Sequence, residues 1–275
     1  MSYFKNKNIA ITGGTGILCK TLARFLVQQG ANVAVLSRGE EAGKEVEKEL
    51  SEYEGQIRFI RCDVLDEDSV QSAKEEFNQI FGKCDILLNG AGGNNPKAST
   101  TFETHIEATK QGQGFQDLDL KSFSKAMDLN FMGTVIPTQI FVEDMVESGS
   151  GTILNISSMS AFSPMTKVPA YSAGKASINN FTQWLAVYYG EANIRVNAIA
   201  PGFFITKQNY DLLIDSEGEY TARAKKILNN TPMNRFGKPE DLIGPVKWLL
   251  NDEESEFVTG IVVPIDGGFM AYSGV

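Results

Sequence analysis

The stretch N-I-A-I-T-G-G-T-G-I-L-C, residues 8–19, contains a complete change from strand to helix. Its first five residues are a short apolar run typical of a buried strand, and Gly13, Gly14 and Gly16 follow at once. From Ile17 to Gln29 the apolar residues recur with helical spacing. This order predicts the first strand–helix unit of an α/β domain.

The same alternation continues to the end of the chain. Strands are predicted at 8–12, 32–36, 56–62, 85–89, 151–157, 194–199 and 261–264. Helices are predicted at 17–29, 40–53, 66–81, 120–147, 170–189 and 239–250. Without a linker, repeat or low-complexity segment, this pattern predicts one α/β domain over residues 1–275, a seven-stranded parallel sheet covered by helices on both faces.

The composition predicts a soluble protein without a nucleic-acid partner. The 275 residues carry 25 Lys+Arg and 34 Asp+Glu, a net charge of −9 that nucleic acid would repel. No apolar run reaches the length needed to span a bilayer, and the polar start of the chain lacks a signal-peptide pattern. We therefore expect a cytoplasmic protein that does not enter a membrane.

Cysteine and histidine usage argues against a metal centre. Cys19, Cys62 and Cys84 are isolated, which is typical of buried packing residues in a reducing compartment. His105 is the only histidine, so a multi-histidine metal site is excluded and a Ser-His-Asp hydrolase is disfavoured. We expect no bound metal.

Two long polar segments interrupt the alternation, at about 92–119 and 203–238. Each follows a strand at its carboxyl end, the edge at which open α/β sheets bind ligands. Loops of this length are usually functional or disordered. Together they predict the walls of a substrate pocket and its lid.

The glycine-rich turn lies where a dinucleotide would bind in such a sheet. Glycines allow a tight turn and a close approach of backbone N–H groups to a pyrophosphate, whose charge the next helix N-terminus attracts. Small residues after the fourth strand let the backbone pass near a cofactor, and polar groups after the sixth can bind a nicotinamide carboxamide. The contacts predicted in these turns are Thr12, Gly13, Gly14, Gly16, Ile17, Asn89, Gly90, Ala91, Pro201, Gly202, Ile205 and Thr206.

The end of the second strand, Ser37-Arg38, bears on which nicotinamide cofactor is used. An acid there would bind the ribose 2′-hydroxyl of NAD(H), whereas an arginine favours the 2′-phosphate of NADP(H). Arg38 favours NADP(H) slightly, but Glu40 and Glu41 follow closely and leave NAD(H) open. After the third strand, Asp63-Val64 is expected to lie against the adenine, with the Asp63 carboxylate bonded to its amino group.

The segment Y-S-A-G-K places Tyr171 and Lys175 on one face of a helix. A nearby ammonium stabilises a phenolate and lowers a tyrosine pKa from about 10 towards neutrality, which suits Tyr171 to acid–base work on a ketone and its alcohol. Lys175 is also expected to hold the nicotinamide ribose. Ser158 can hold the substrate oxygen, while Ser157 faces the other side of its strand. Asn130 can orient a water that relays protons to Lys175.

These residues resemble the short-chain dehydrogenase/reductase family over essentially the whole chain. The matches are the glycine-rich turn, C-D-V at Asp63, N-G-A-G at Asn89, P-G at Pro201, D-G-G at Asp266, and Asn130, Ser158, Tyr171 and Lys175. The resemblance implies a Rossmann-like doubly wound sheet, an NAD(P)-dependent oxidoreductase, and a homotetramer formed through the two long helices. One feature departs from the family. Its pattern T-G-x-x-x-G-x-G, aligned on Gly13, would place glycines at Ile17 and Cys19.

Within that family the chain resembles the mannonate oxidoreductase branch. The similar stretches include T-G-G-T-G-I-L-C, N-G-A-G-G-N-N-P-K-A, A-P-G-F-F-I-T-K-Q-N and the terminal A-Y-S-G-V. This implies interconversion of D-fructuronate and D-mannonate, and such a sugar acid needs a cation and many polar groups in its pocket. Polar residues in the two long loops that suit this role are Asn94, Asn95, Lys97, Lys167, Lys207, Gln208, Asn209 and Arg223. Lys97 or Lys207 is the predicted carboxylate ligand, with Asn94 and Asn95 beside it.

Other functions stay open at this point. A gluconate-type or other polyol dehydrogenase would carry the same catalytic residues. Related epimerases and dehydratases tend to have a larger C-terminal substrate domain than the roughly 35 residues of insertion found here. A non-catalytic cofactor-binding protein is disfavoured because Ser158, Tyr171 and Lys175 are all present.

Overall fold

The computed structural model describes residues 2–108, 112–206 and 209–274, and within them the seven predicted strands form one parallel sheet. The strands are β1 (Asn8–Thr12), β2 (Asn32–Ser37), β3 (Gln56–Arg61), β4 (Ile86–Asn89), β5 (Gly151–Ile156), β6 (Ile194–Pro201) and β7 (Val262–Ile265). Their order across the sheet is β3-β2-β1-β4-β5-β6-β7. The predicted doubly wound fold is confirmed.

Helices connect consecutive strands, and short helices occur in the two long loops. They are α1 (Ile17–Gln28), α2 (Glu40–Leu50), α3 (Glu67–Phe81), α4 (His105–Ala108), α5 (Leu120–Asn130), α6 (Met132–Ser148), α7 (Pro169–Tyr188), α8 (Tyr210–Leu213), α9 (Ala222–Asn229), α10 (Ile243–Leu250) and α11 (Asp252–Ser255). Asp66 caps α3, because its carboxylate accepts hydrogen bonds from the backbone N–H groups of Asp68 and Ser69.

Alternate residues of the central strands enter separate cores on the two faces of the sheet. In β1, Ile9 and Ile11 belong to the core beneath α1, α2 and α10, whereas Ala10 belongs to the core beneath α3, α6 and α7. Both sets are fully buried. Strands that are buried on both faces have apolar residues at nearly every position. The sequence therefore shows little alternation between apolar and polar residues in these strands.

The chain reverses its direction across the sheet between β1 and β4. Strands β2 and β3 lie on one side of β1, and β4 to β7 lie on the other. At such a switch point the loops leave the sheet in opposite directions and open a crevice at the carboxyl ends of the strands. The glycine-rich turn after β1 and residues 90–92 after β4 border this crevice.

The single helix predicted over 120–147 is instead two helices, interrupted at Phe131. The Asn130 side chain donates a hydrogen bond to the carbonyl oxygen of Ala126, which is the acceptor that the helix backbone itself uses. Pro137 lies inside α6 and has no N–H, so it cannot form the backbone hydrogen bond to the carbonyl oxygen one turn earlier. The remaining boundaries differ from prediction by a few residues, and 239–242 is a 3₁₀ turn before α10.

Candidate active site

The glycine-rich turn fits tightly between β2 and the loop after β4. Gly13 has φ +65°, and a Cβ there would lie 2.8 Å from the backbone of Gly90 and Ala91. A Cβ on Gly14 would lie 2.6 Å from the Cβ of Val35. The hydroxyl of Thr12 accepts hydrogen bonds from the N–H groups of Gly90 and Ala91, at 3.0 and 3.3 Å. Both glycines are therefore required by the space available.

Cys19 explains how the turn departs from the family pattern. The cysteine is buried, and a Cβ on Gly90 would lie 2.2 Å from its sulfur. A third glycine in α1 would allow the helix to approach the strand closely. Here Gly90, in the loop after β4, allows that approach instead, because it leaves room for the Cys19 sulfur. Gly16 precedes α1 and no side chain caps that helix, so its first N–H groups can receive a pyrophosphate.

The ends of β2 and β3 fit an adenosine ribose. The Ser37 hydroxyl is buried and has no hydrogen-bond partner among the described residues, so its polar group is free for a ligand. Ser37 pairs in register with Arg61, and Arg38 follows it on the surface. The Asp63 carboxylate accepts a hydrogen bond from the Leu65 N–H and so also shapes the loop after β3, where Val64 is buried.

The Asn89 side chain is buried in the core, so its predicted contact with the cofactor would have to come from its backbone. Its side-chain amide donates to the Thr138 hydroxyl and to the Asn155 carbonyl oxygen, both at 2.9 Å. Asn155 in turn donates to Thr182. Both faces of β4 are buried, so a polar side chain there can point into the core. This network ties β4 and β5 to α6 and α7.

A cavity of about 580 Å³ lies at the carboxyl ends of β4, β5 and β6. It brings together Ser158, Tyr171 and Lys175. Of the other predicted residues, Gly90, Pro201, Gly202, Thr206 and Asn94 also line it. Ile205 and Ile17 border a second opening, which shares Thr206 with this cavity.

Lys175 is held at the base of the cavity. Its ammonium donates a 2.7 Å hydrogen bond to the carbonyl oxygen of Ile156 and lies 5.8 Å from the centre of the Tyr171 ring. Burial lowers the pKa of Lys175 from 10.5 to about 8. The charge therefore stays largely present at neutral pH, but the proton is easily lost just above it.

Tyr171 differs from the sequence expectation in its ionisation. Burial raises its pKa above the usual value of 10.0, and a side-chain hydrogen bond with Ser158 lowers it only in part. The expected lowering by Lys175 is not found, because the lysine ammonium is directed at the Ile156 carbonyl oxygen rather than at the phenol. In this structure Tyr171 is a protonated phenol, the form needed to donate a proton.

The two adjacent serines have different partners. Ser157 donates to the Asn179 side-chain oxygen at 2.5 Å and to the Lys175 carbonyl oxygen at 3.3 Å, so it serves to anchor α7. Both serines border the cavity, and Ser158 accepts a 3.0 Å hydrogen bond from the Ser160 hydroxyl. This supporting serine was not anticipated, since a single serine in a loop carries no distinctive signal.

Asn130 is fully buried and bonded to the loop after β4. Its amide nitrogen donates to the Gly93 carbonyl oxygen at 2.7 Å, and its carbonyl oxygen accepts from the Gly93 N–H at 3.2 Å. A Cβ on Gly92 would lie 2.8 Å from that oxygen and 3.1 Å from the Lys175 ammonium. Asn130 is thus near the lysine, with Gly92 between them.

The predicted substrate residues separate into three groups. Asn94 and Asn209 line the cavity, whereas Lys167 does not. The Asn95 side chain accepts a hydrogen bond from the Lys97 N–H and caps a turn, and Lys97 is exposed outside the cavity walls. Lys207 and Gln208 lie outside the described residues. Arg223 lines the cavity, with apolar walls from Met159, Met165, Phe203, Leu213 and Ile227.

Two further findings concern the described part of the chain. It contains no helix long and apolar enough to cross a membrane. It also contains no group of three or more His, Cys, Asp or Glu side chains arranged to hold a metal ion. All three cysteines are buried and free.

Comparison with known proteins identifies relatives of the whole chain. A family model described as short chain dehydrogenase matches residues 7–215. The "Uncharacterized oxidoreductase UxuB" of Bacillus subtilis (strain 168) is 54% identical over 269 residues, which cover 98% of this chain and 96% of that protein. The 2-dehydro-3-deoxy-D-gluconate 5-dehydrogenase of Formosa agariphila is 30% identical over 273 residues, which cover 98% and 95%.

A solved structure shows the same likeness. A proposed D-mannonate oxidoreductase from Haemophilus influenzae, with bound NAD, superposes with a TM-score of 0.95. The two sequences are 48% identical, and the match covers 98% of this chain and 97% of the other.

Proposed function

The chain belongs to the short-chain dehydrogenase family and is an oxidoreductase acting on alcohol groups, and from this we propose that it interconverts D-fructuronate and D-mannonate. The observation that carries the proposal is the composition of the catalytic cavity. Among its described lining residues are Ser158, Tyr171, Lys175 and Arg223, and none is an Asp or Glu. Such a cavity suits a polyhydroxylated anion. The likeness to the H. influenzae protein supports the same substrate.

The proposed chemistry assigns a proton to Tyr171. Ser158 hydrogen-bonds the substrate oxygen, and Tyr171 gives that oxygen its proton in the direction of reduction. A nicotinamide dinucleotide, when bound in the crevice, would supply the hydride for the carbonyl carbon in this direction and would accept it in the reverse one. Lys175, whose pKa is about 8, can return a proton to Tyr171 near neutral pH. Asn130 holds the loop at Gly93 and so positions the neighbouring Gly92 beside Lys175.

For the cofactor we favour NADP(H). Arg38 follows β2 directly, and Arg61 is the last residue of the neighbouring strand β3. Neither forms an ion pair among the described residues, but Glu40 attracts Arg61 electrostatically, so Arg38 is the guanidinium available to a 2′-phosphate. The NAD bound to the H. influenzae relative favours NAD(H) instead, as does the closeness of Glu40. The protein is proposed to act in the cytoplasm on a small sugar acid, without nucleic acid or membrane.

A second candidate is a dehydrogenase of gluconate-type acids or other polyols. It is favoured by the 30% identical relative from F. agariphila, which is named for a deoxygluconate substrate. The catalytic residues are the same in both cases, so only the substrate separates them. A non-catalytic role is disfavoured because the cavity holds a complete Ser-Tyr-Lys set.

The test is an assay of nicotinamide absorbance with D-fructuronate, run separately with NADH and with NADPH. We expect oxidation of at least one cofactor. Tyr171→Phe should keep cofactor affinity and lose roughly 10²- to 10⁴-fold in turnover. Near-normal turnover in this variant would rule out Tyr171 as the acid. Cofactor binding without fructuronate reduction would exclude this substrate, and gluconate-type keto acids would be assayed next.

A further inference from the structure

The helix α9 presents a mixed polar face to the space in front of the catalytic side chains. Arg223, Lys226, Ile227 and Asn230 recur at intervals of three and four residues, so they lie on one side of the helix. All four line a second cavity, of about 290 Å³. The opposite side of α9 exposes Lys225 to solvent.

The helix is fixed in this orientation by its own small core. The Thr221 hydroxyl caps its first turn by accepting a hydrogen bond from the Ala224 N–H at 3.2 Å. Ala224 and Leu228 are buried against Leu213 and Phe236. The face that carries Arg223 is therefore held towards the cavities.

Arg223 lies on the wall that the two cavities share. Met159, Met165, Phe203 and Ile227 form the rest of that wall. The larger cavity contains Ser158, Tyr171 and Lys175, and Arg223 borders the same space. One ligand can thus contact the catalytic residues at one end and the Arg223 guanidinium at the other.

The charge in the larger cavity is unusual for this chain. Its net charge is −9, yet the described residues lining the cavity include the cations Lys175 and Arg223 and no acid. Lys175 is bonded to the Ile156 carbonyl oxygen. Arg223 forms no hydrogen bond or ion pair with any described residue. Arg223 is half-buried, and a guanidinium with open donors in a ligand cavity is suited to bind an anionic group.

The acid that shares the smaller cavity with Arg223 is already paired with another cation. Glu103 lines the smaller cavity and is already paired with Lys226. Lys226 is the main cause of the lowered pKa of Glu103, and Lys167 and Arg223 contribute only through longer-range attraction. Three cations therefore surround one carboxylate, and a second carboxylate would be attracted to Arg223.

We propose that Arg223 binds the carboxylate of the substrate and so selects sugar acids over neutral sugars. This inference rests on the proposed function, because it assigns one end of the same substrate. A guanidinium binds a carboxylate through two parallel hydrogen bonds, which fixes direction as well as charge. The carbonyl carbon then lies at Ser158 and Tyr171, and the carbon chain extends towards α9. Of the two cations favoured by the sequence, Lys97 is outside the cavity and Lys207 lies outside the described residues.

The test compares D-fructuronate with D-fructose, which carries a CH₂OH group where fructuronate carries the carboxylate. In Arg223→Gln, the ratio of kcat/KM for fructuronate to that for fructose should fall roughly 10- to 100-fold, mainly through KM. Arg223→Lys should recover part of the loss, because the charge is kept without the paired geometry. The matched control, Lys225→Gln, removes a charge from the same helix outside both cavities and should keep the wild-type ratio.

The two proposals fail in different ways. If wild type prefers fructuronate and a folded Arg223→Gln variant keeps that preference, the role of Arg223 is overturned and the proposed function stands. If wild type reduces fructose as well as it reduces fructuronate, the sugar-acid function is overturned together with the role of Arg223. Melting temperatures of the three variants, and titration of D-mannonate into each holoenzyme, separate a binding defect from a folding defect.

Discussion

At the scale of the single residue, Lys175 has a proposed role in the reaction, but its burial lowers the free energy of unfolding. The residue is only 4% exposed, and burial lowers its pKa from 10.5 to about 8. At about 1.4 kcal/mol per pKa unit, holding this proton costs about 3 kcal/mol of folding free energy below pH 8. Between pH 8 and 10.5 the native state loses a proton that the unfolded chain still binds, so the cost disappears as pH rises.

Lys175→Met should therefore raise the free energy of unfolding at neutral pH while removing activity. The gain is expected to be about 2 kcal/mol, since loss of the hydrogen bond to the Ile156 carbonyl oxygen offsets about 1 kcal/mol. The difference from wild type should shrink as pH is raised through the interval from 8 to 10.5. Urea denaturation across that interval measures it. A variant less stable than wild type at neutral pH would contradict the assigned burial cost.

Arg38 is the residue on which cofactor choice is expected to depend. Arg38→Asp replaces a possible 2′-phosphate ligand with an acid that can bind the ribose hydroxyls, so the kcat/KM ratio of NADPH to NADH should fall roughly 10- to 100-fold. Arg58→Gln, which alters an arginine earlier on β3, serves as the control. An unchanged ratio in Arg38→Asp would show that Arg38 does not contact the phosphate.

Residue type and spacing predict which catalytic side chains share a site, but not where every polar side chain points. Tyr171 and Lys175 follow from one helical turn, and Ser158 from the end of a strand. Asn89 could not be placed, because both faces of β4 are buried and alternation does not distinguish them. Arg223 could not be separated from Lys97, because only the packing of α9 decides which cation reaches the cavity.

At the scale of the element, the sheet follows from the sequence more closely than the helices do. Short apolar runs bounded by turns define all seven strands to within two residues at either end. At the break between α5 and α6, the Asn130 side chain donates hydrogen bonds to the Ala126 carbonyl oxygen and to the Gly93 carbonyl oxygen in the loop after β4. Such a contact between distant segments leaves no periodic signal.

The loop after β4 provides a matched pair of glycine variants. In Gly92→Ala the new Cβ would lie 2.8 Å from the Asn130 side-chain oxygen and 3.1 Å from the Lys175 ammonium, and hydrogen bonds hold both side chains. Displacing them should lower kcat roughly 10- to 100-fold without unfolding the protein. In Gly93→Ala nothing lies within 4 Å of the new Cβ, so kcat should change little. Equal effects of the two substitutions on kcat would refute this account of the loop.

At the scale of the whole molecule, charge is unevenly distributed. The chain is acidic overall, yet the lining of its catalytic cavity is cationic. The acidic surface favours solubility and repels nucleic acid, whereas the cavity attracts a small anion. Composition alone predicts the first property. The cationic lining of the cavity depends on which few Lys and Arg side chains the fold directs inwards, and the net charge does not reveal which these are.

Oligomeric state is the last property predicted for the whole molecule. Leu185 of α7 is buried in the core, whereas Trp184, Val187 and Tyr188 of the same helix remain 55%, 84% and 64% exposed. The rings of Trp184 and Tyr188 stack on each other. Such an apolar surface is typical of an interface, and we expect a homotetramer formed through α7 and the helix pair α5–α6.

Val187→Glu would bury a charge in that interface and should weaken assembly by at least roughly 100-fold, because an unpaired buried charge is strongly unfavourable. Light scattering after size-exclusion chromatography measures the change in mass. Tyr53→Glu, at an exposed aromatic residue away from α7, should leave the mass unchanged. A wild-type monomer, or a Val187→Glu variant that keeps the wild-type mass at low concentration, would show that this surface does not mediate assembly.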